Sequence, residues 1–141
     1  MAALNRRSFV CGIAAITALG LTKASAVAAT GVSTVKGKTV IDLAANKVLN
    51  KVGGVLELSI AKYGKIAVVR TSTGVTGYSV INLQCPHRGA IVKKSSAGWN
   101  CPPPRGHGAE FALNGAVKVG PATDGLRSIK FTATKKAVTI V

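Results

Sequence analysis

Short runs of β-branched residues alternate with glycine-containing turns along most of the chain after residue 30. The runs are KTVIDL (38–43), VLELSI (55–60), KIAVVRT (65–71) and TGYSVINL (76–83), with glycines at 53–54, 64, 74 and 77 between or within them. Short Val- and Ile-rich segments bounded by turn residues are typical of an antiparallel sandwich or small barrel. The pattern therefore predicts an all-β domain, with a hairpin turn near Thr73-Gly74.

The amino-acid composition changes between Gln84 and Pro121, where glycine, proline and polar residues dominate. The β pattern then returns as RSIKFTA (127–133) and AVTIV (137–141), whereas AANKVLNKV (44–52) is compatible with a short helix or a loop. A long loop-rich segment inside a compact domain is usually functional. We therefore expect β-sheets, then an inserted loop-rich subdomain, then closing strands.

The first 29 residues have the organisation of an export signal. NRRSFV (5–10) carries paired arginines, an apolar run extends from Gly12 to Leu21, and small residues follow in TKASAVAAT (22–30). The arginine pair before Ser-Phe resembles a twin-arginine signal. The apolar run is shorter than the roughly 20 residues that a membrane span needs. We expect cleavage near residue 29 and export to the cell envelope, periplasm or exterior, with retention as a membrane anchor as the alternative.

The net positive charge of the chain indicates which kinds of binding partner it attracts. The chain has 19 Lys and Arg against 4 Asp and Glu, and three of the basic residues (Arg6, Arg7 and Lys23) lie in the signal, which leaves a formal +12 on residues 30–141. Such a field attracts an acidic partner protein or an anionic membrane surface. Nucleic acid is excluded as the partner because the basic residues are scattered, aromatic residues are few and the chain carries an export signal.

All cysteines and histidines of residues 30–141 fall in the loop-rich segment. Cys85 and His87 are separated by one residue, thirteen residues follow, and Cys101 and His107 are separated by five. Three interpretations are open. The cysteines could form a disulfide, which closes a loop of about 15 residues and stabilises by roughly 3 kcal/mol. The set could instead bind zinc, or an iron–sulfur centre with two thiolate and two imidazole ligands.

The residues around these ligands carry a family resemblance. CPHRGA (85–90), followed by WNCPPPRGHGAEFALNGAVKVGPATDGLRSIKF (99–131), resembles a Rieske iron–sulfur domain. The His-Gly-x-x-Phe, Gly-x-Val and Gly-Pro-Ala sequel is the most specific part, because a zinc site does not need it. The resemblance implies a Rieske-like antiparallel β-sandwich in residues 30–141, with a cluster-binding subdomain at about 83–121.

The resemblance also implies the cofactor and its ligands. A [2Fe–2S] cluster would be bound by Cys85 and Cys101 at the buried iron and by His87 and His107 at the outer iron. The histidine rings would face outward, where loss of a proton can accompany oxidation.

This sequence departs from the family pattern at three places. Five residues, PPPRG, separate Cys101 from His107 where the family has two, so we expect a stiff bulge that Gly106 turns back towards the metal. The disulfide that braces many members is absent, since Ala90 and the prolines occupy those positions; the prolines would limit the freedom of the loop instead. Ala109 and Phe111 replace a serine and a tyrosine that donate hydrogen bonds to cluster sulfur, which predicts a low reduction potential for the family.

Function follows from the same residues. There is no nucleophile motif or dinucleotide fingerprint, and carboxylates are few, so no independent catalytic site is predicted. The leading hypothesis is a small exported one-electron carrier. The alternatives are a subunit of a larger quinol- or arsenite-oxidising complex, and a zinc-binding or cluster-less cationic scaffold of the cell envelope. Trp99 is expected to pack in the core. Arg88 and Arg105 lie beside the histidines as solvated charges or as guides for a negatively charged partner.

Overall fold

A computed structural model describes residues 30–103 and 108–141 of the chain. In this part of the chain the strands are β1 (Val32–Val35), β2 (Lys38–Asp42), β3 (Val55–Ile60), β4 (Gly64–Arg70), β5 (Tyr78–Asn82), β6 (Lys93–Ser95), β7 (Gly98–Asn100), β8 (Glu110–Phe111), β9 (Val117–Val119), β10 (Phe131–Ala133) and β11 (Ala137–Ile140). A 3-10 helix spans Lys47–Asn50.

The strands of the described residues form antiparallel sheets in the orders β1-β2-β11-β10, β3-β4-β5 and β6-β7-β8-β9. The first two sheets belong to the base of the domain. The third lies within the segment between β5 and β10; the first cysteine loop leads into it from β5, and the second connects its strands β7 and β8. The prediction of an all-β antiparallel fold is confirmed.

Strand β4 is buried on both faces and separates two hydrophobic cores. Ile66 and Val68 pack with the β2–β11 sheet, whereas Ala67 and Val69 pack with the inserted sheet. Successive side chains of a strand point to opposite faces. The uninterrupted apolar run IAVV therefore reflects contact with a different layer on each face, and it makes β4 the element that joins the base to the insert.

Several elements differ from the sequence prediction. The segment 84–121 contains a sheet of its own, which the sequence does not predict because strands β6–β9 are two or three residues long and are mostly polar or exposed. Strand β1 was not predicted either. RSIKFTA forms a strand only at its last three residues, although Ser128 still makes a bridge to Ile81. Within the described residues, no helix is long and apolar enough to cross a membrane.

Candidate metal centre

The first cysteine lies at the base of a tight loop that follows β5. The Cys85 N–H donates to the Ala90 carbonyl at 2.7 Å, and the Gly89 N–H donates to the Cys85 carbonyl at 2.8 Å. Gly89 has a φ of +71°, which suits glycine and closes the turn. The loop therefore holds the Cys85 backbone at its closed end and leaves His87 exposed in its middle.

The second cysteine is held in a similar way at the end of β7. The Cys101 N–H donates to the Ala109 carbonyl at 2.9 Å, and the Gly108 N–H donates to the Cys101 carbonyl at 3.2 Å. These bonds close the base of the second loop across the longer spacer of this chain. His107, together with Pro104, Arg105 and Gly106, lies outside the described residues, so the predicted bulge and the fourth ligand are not tested by the structure.

Both cysteines belong to one apolar core. Cys85 is 2% exposed and Cys101 is 1% exposed, and both pack in the cluster that contains Leu83, Trp99 and Phe111. Cys85 is not part of a disulfide, so the Cys85–Cys101 bridge that the sequence allows is not formed. Buried thiol groups in an apolar core suit a metal that binds thiolate and is shielded from water.

The predicted ligands differ in exposure in the way that the family resemblance implies. Both cysteines are buried, whereas His87, two residues after Cys85, is exposed. The arrangement fits a cluster with one iron inside and one iron at the surface. Within residues 30–103 and 108–141 no three His, Cys, Asp or Glu side chains cluster as a metal site, and the fourth candidate, His107, lies outside those ranges.

Trp99 holds the end of β7, which leads into the second cysteine loop. Its side chain is fully buried, and its Nε1–H donates to the Leu113 carbonyl at 3.2 Å. In the sheet Trp99 pairs with Phe111, so the strands before and after the second loop are held together by two large aromatic side chains. The expectation that Trp99 packs in the core is confirmed.

The apolar substitutions noted in the sequence line this core. Ala109 and Phe111 are each 1% exposed and belong to the same cluster as the cysteines. Ala90 is half-buried against it. The walls next to the second loop therefore carry methyl and phenyl groups, which donate no hydrogen bonds.

Sequence reasoning missed one residue that holds the first loop. The Asn82 Oδ1 accepts from the Gln84 N–H at 2.7 Å, and its Nδ2 donates to the Tyr63 carbonyl at 2.7 Å. Asn82 thus ties the start of the cysteine loop to the β3–β4 turn. An asparagine at the end of a strand, two residues before a loop, is a recognised signal for such a side-chain turn.

The Gly-Pro-Ala segment closes the other side of the core. Ala122 and Leu126 are both buried in the cysteine-containing cluster, and the Leu126 N–H donates to the Gly115 carbonyl at 2.7 Å. A Cβ at Gly115 would lie 3.0 Å from Ile81 and 3.3 Å from Leu126, so the glycine permits this close packing. The segment that made the family resemblance specific therefore has a packing role.

Comparisons with known proteins agree with this geometry. The family model of the Rieske [2Fe-2S] domain matches residues 39–130. Among solved structures, the cyanobacterial plasma membrane Rieske protein PetC3 from Synechocystis PCC 6803 is 29% identical, with a TM-score of 0.53, and the match covers 71% of this chain and 94% of that one. A search of curated proteins finds no significant match. Since the family model spans more than half of the sequence and the fold and buried cysteines agree with it, this chain belongs to the Rieske [2Fe–2S] family.

Proposed function

We propose that this protein is an exported one-electron carrier whose [2Fe–2S] cluster is bound by Cys85, Cys101, His87 and His107. The observation that carries the ligand assignment is the placement of two buried cysteines, from two separate loops, in a single apolar core. Membership of the Rieske family supplies the cofactor, and the cysteines and histidines are the thiolate and imidazole ligands that this cofactor uses.

Different residues would bind the cluster, shield it from water and face the redox partner. The cluster, when bound, takes up and releases one electron. Cys85 and Cys101 bind it from inside the core, where Leu83, Trp99 and Phe111 exclude water. His87 lies at the surface, so the imidazole side of the site is the edge that a redox partner can approach. The hydrogen bonds at the base of each loop keep both cysteine backbones in place during the redox change.

The charge of the protein supports a steered encounter with its partner. Residues 30–141 carry a formal +12. Charge complementarity raises association rates more than it raises affinity. We therefore expect a transient complex with an acidic redox protein, after export directed by residues 1–29.

A second candidate is a subunit of a larger membrane-associated oxidoreductase of the quinol- or arsenite-oxidising type. The observation that favours it is the similarity to a Rieske protein of a cyanobacterial plasma membrane. Retention of residues 1–29 as an anchor would support this candidate, whereas their removal supports the free carrier. The N-terminal sequence of the protein recovered from its native envelope distinguishes the two.

Metal analysis of the full chain tests the ligand assignment. After expression in a cytosol that builds iron–sulfur clusters, we expect two irons and two acid-labile sulfides per chain and a Rieske-type EPR spectrum after reduction with dithionite. Cys85→Ser, Cys101→Ser, His87→Ala and His107→Ala should each lose that spectrum. The matched control is Cys11→Ser, which alters the remaining cysteine of the sequence and should keep it.

Two results would overturn the assignment. Zinc in place of iron in the unmodified chain would remove the redox role and favour the scaffold alternative. A cluster that survives His107→Ala with an unchanged EPR spectrum would show that the long second loop does not deliver a ligand.

A further inference from the structure

A pocket that has no role in the metal site lies at the start of strand β5, the end of the strand opposite the first cysteine loop. Strand β5 runs from Tyr78, which lines this pocket, to Asn82, three residues before Cys85, and five extended residues span roughly 17 Å. The pocket has a volume of about 250 Å³. It is lined by Leu43, Leu49, Asn50, Arg70, Gly74, Val75, Tyr78, Thr134 and Lys135.

The polar groups that line this pocket include two cations, Arg70 and Lys135. The Arg70 guanidinium stacks on the Tyr78 ring, with its Cζ 4.3 Å from the ring centroid. Its Nε is buried and has no hydrogen-bond partner among the described residues. Lys135 adds a second positive charge, from the β10–β11 turn. A guanidinium held by a ring and flanked by a lysine is suited to an oxyanion, above all a phosphate.

No acidic side chain of the described residues lies beside these two cations in the pocket lining. Asp42, Glu57, Glu110 and Asp124 are the acidic residues of the described part of the chain, and none of them lines the pocket. The Asp42 carboxylate instead accepts a hydrogen bond from the Ala44 N–H. An anion that pairs with Arg70 and Lys135 in this pocket would therefore come from outside the chain.

Exposed valine and lysine side chains lie around the pocket. Val75 lines the pocket and is 39% exposed. Val48 and Val52, which flank the pocket-lining Leu49 and Asn50 in the chain, are 47% and 56% exposed. Lys47 and Lys51 are exposed in the same segment, and Lys136 follows Lys135. Exposed aliphatic side chains interspersed with lysines are typical of a surface that rests at the boundary between the headgroups and acyl chains of a bilayer.

We propose that this pocket binds the phosphate of an anionic phospholipid, so that the base domain lies on a membrane surface with its cysteine loops directed away from it. The pocket supplies the phosphate contacts through Arg70 and Lys135, and the valines of the rim contact the glycerol and the first acyl carbons. The proposal rests on the proposed export to a cell envelope, but it does not depend on the cluster. Its failure would leave the electron-carrier function untouched.

Titration of the full ¹⁵N-labelled protein with short-chain lipids tests the proposal. The probe is dihexanoylphosphatidylglycerol below its micelle concentration, and the comparisons are dihexanoylphosphatidylcholine and inorganic phosphate. We expect saturable shifts at the backbone amides of Gly74, Val75 and Lys135 with the anionic lipid. The same shifts should require at least tenfold higher concentrations of either comparison. Because the pocket and the first cysteine loop lie at opposite ends of β5, we expect these amide signals to remain observable in the presence of iron.

Variants locate the contacts. Arg70→Gln should weaken binding of the anionic lipid by about tenfold or more, the cost of a lost charged hydrogen bond. Lys135→Gln, in an exposed turn where folding is not at risk, should weaken it by about fivefold. Val75→Ser should weaken lipid binding and leave phosphate binding unchanged. Lys93→Gln removes the same charge from exposed strand β6 of the insert and is the matched control, with no change expected.

Three outcomes would overturn the proposal. Equal affinity for phosphate and for the anionic lipid would make this a site for free phosphate, because the rim would then contribute nothing. Equal affinity for the two lipids would remove the role of charge. Shifts that are absent from the pocket, or a loss of binding in Lys93→Gln as large as in Lys135→Gln, would show that the attraction is that of net charge alone.

Discussion

At the scale of single residues, the position of the first cysteine loop depends on a side chain outside the ligand set. Asn82 bonds the Gln84 N–H with its oxygen and the Tyr63 carbonyl with its nitrogen, both at 2.7 Å. It therefore connects the loop to the base of the domain through a half-buried amide. Loss of that amide would leave two backbone groups without their partner, while the cysteines themselves would be unchanged.

We expect Asn82→Ala to lower the free energy of unfolding by about 2 kcal/mol, since each lost hydrogen bond costs on the order of 1 kcal/mol. The visible absorbance of the cluster should also decay faster at 37 °C. Asn46→Ala is the control, because the Asn46 Nδ2 donates to the Thr30 and Asp42 carbonyls, in a segment whose Leu43 and Leu49 pack in the core that lacks the cysteines. The control variant should lower the free energy of unfolding without shortening the lifetime of the cluster. Equal cluster lifetimes in the two variants would contradict a positioning role for Asn82.

The potential of the centre is also decided by individual residues, Ala109 and Phe111. Both are buried in the core of the cysteines and neither side chain donates a hydrogen bond. We expect a potential in the lower part of the Rieske range of about −150 to +300 mV. Phe111→Tyr or Ala109→Ser should raise it by about 40 mV, the equivalent of one hydrogen bond of roughly 1 kcal/mol for a one-electron couple.

Protein-film voltammetry measures this change directly. Phe131→Tyr is the matched control, since Phe131 packs in the other core of the domain and its hydroxyl would lie away from the cysteines. It should leave the potential unchanged. A wild-type potential near the top of the range, or equal shifts in Phe111→Tyr and Phe131→Tyr, would rule out this explanation.

At the scale of elements, the second cysteine loop depends on a close approach of two short strands. A Cβ at Gly98, the first residue of β7, would overlap the Phe111 carbonyl oxygen of β8. The two strands pair through Trp99 and Phe111, immediately before and after the loop that carries Cys101. A side chain at position 98 would therefore separate the strands that hold the base of this loop.

We expect Gly98→Ala to destabilise the protein by about 3 kcal/mol or more, because the obstructing atom is backbone and cannot turn aside. Gly64→Ala is the control: its φ is +71°, but nothing lies within 4 Å of the added Cβ. The control should cost only about 1 kcal/mol of conformational strain. Urea unfolding followed by circular dichroism and by Trp99 fluorescence measures both. A cost in Gly98→Ala no larger than in Gly64→Ala would show that the β7–β8 contact can relax.

At the scale of the whole molecule, the excess of positive charge governs encounters. Residues 30–141 carry a formal +12, and the exposed His87 lies next to exposed Arg88. Fields of this size act over a Debye length, which is about 30 Å at 0.01 M salt and about 10 Å at 0.1 M. Electron transfer with a charged reagent should therefore depend strongly on salt.

We expect oxidation of the reduced protein by ferricyanide to slow by about tenfold between 0.01 and 0.5 M salt, because screening removes the attraction of a basic surface for an anion. Oxidation by a cationic cobalt complex should accelerate over the same range. Stopped-flow absorbance measures both rates. The same salt dependence for the two reagents would exclude electrostatic steering by the net charge.

Local sequence patterns were sufficient to predict the fold class and most of the strands of the base domain. The ranges of β3, β4 and β11 agree with the β-branched runs to within a residue, because those strands are long enough for side-chain pattern and turn residues to define them. The four candidate ligands and the family also follow from local sequence, since ligand type and the Gly-Pro-Ala sequel are carried by neighbouring residues. Their role as ligands remains a prediction.

The residues that surround the two cysteines could be identified only from the way the sheets pack. Strands β6–β9 are too short and too polar for a local pattern, and they form because Trp99, Phe111, Ala122 and Leu126 bury apolar surface against β4 and β5. The link from Asn82 to Tyr63 and the pocket of Arg70, Tyr78 and Lys135 join segments that are distant in the chain. Contacts of this kind depend on how the sheets pack against each other. The spacing of residues along a single strand does not reveal that packing.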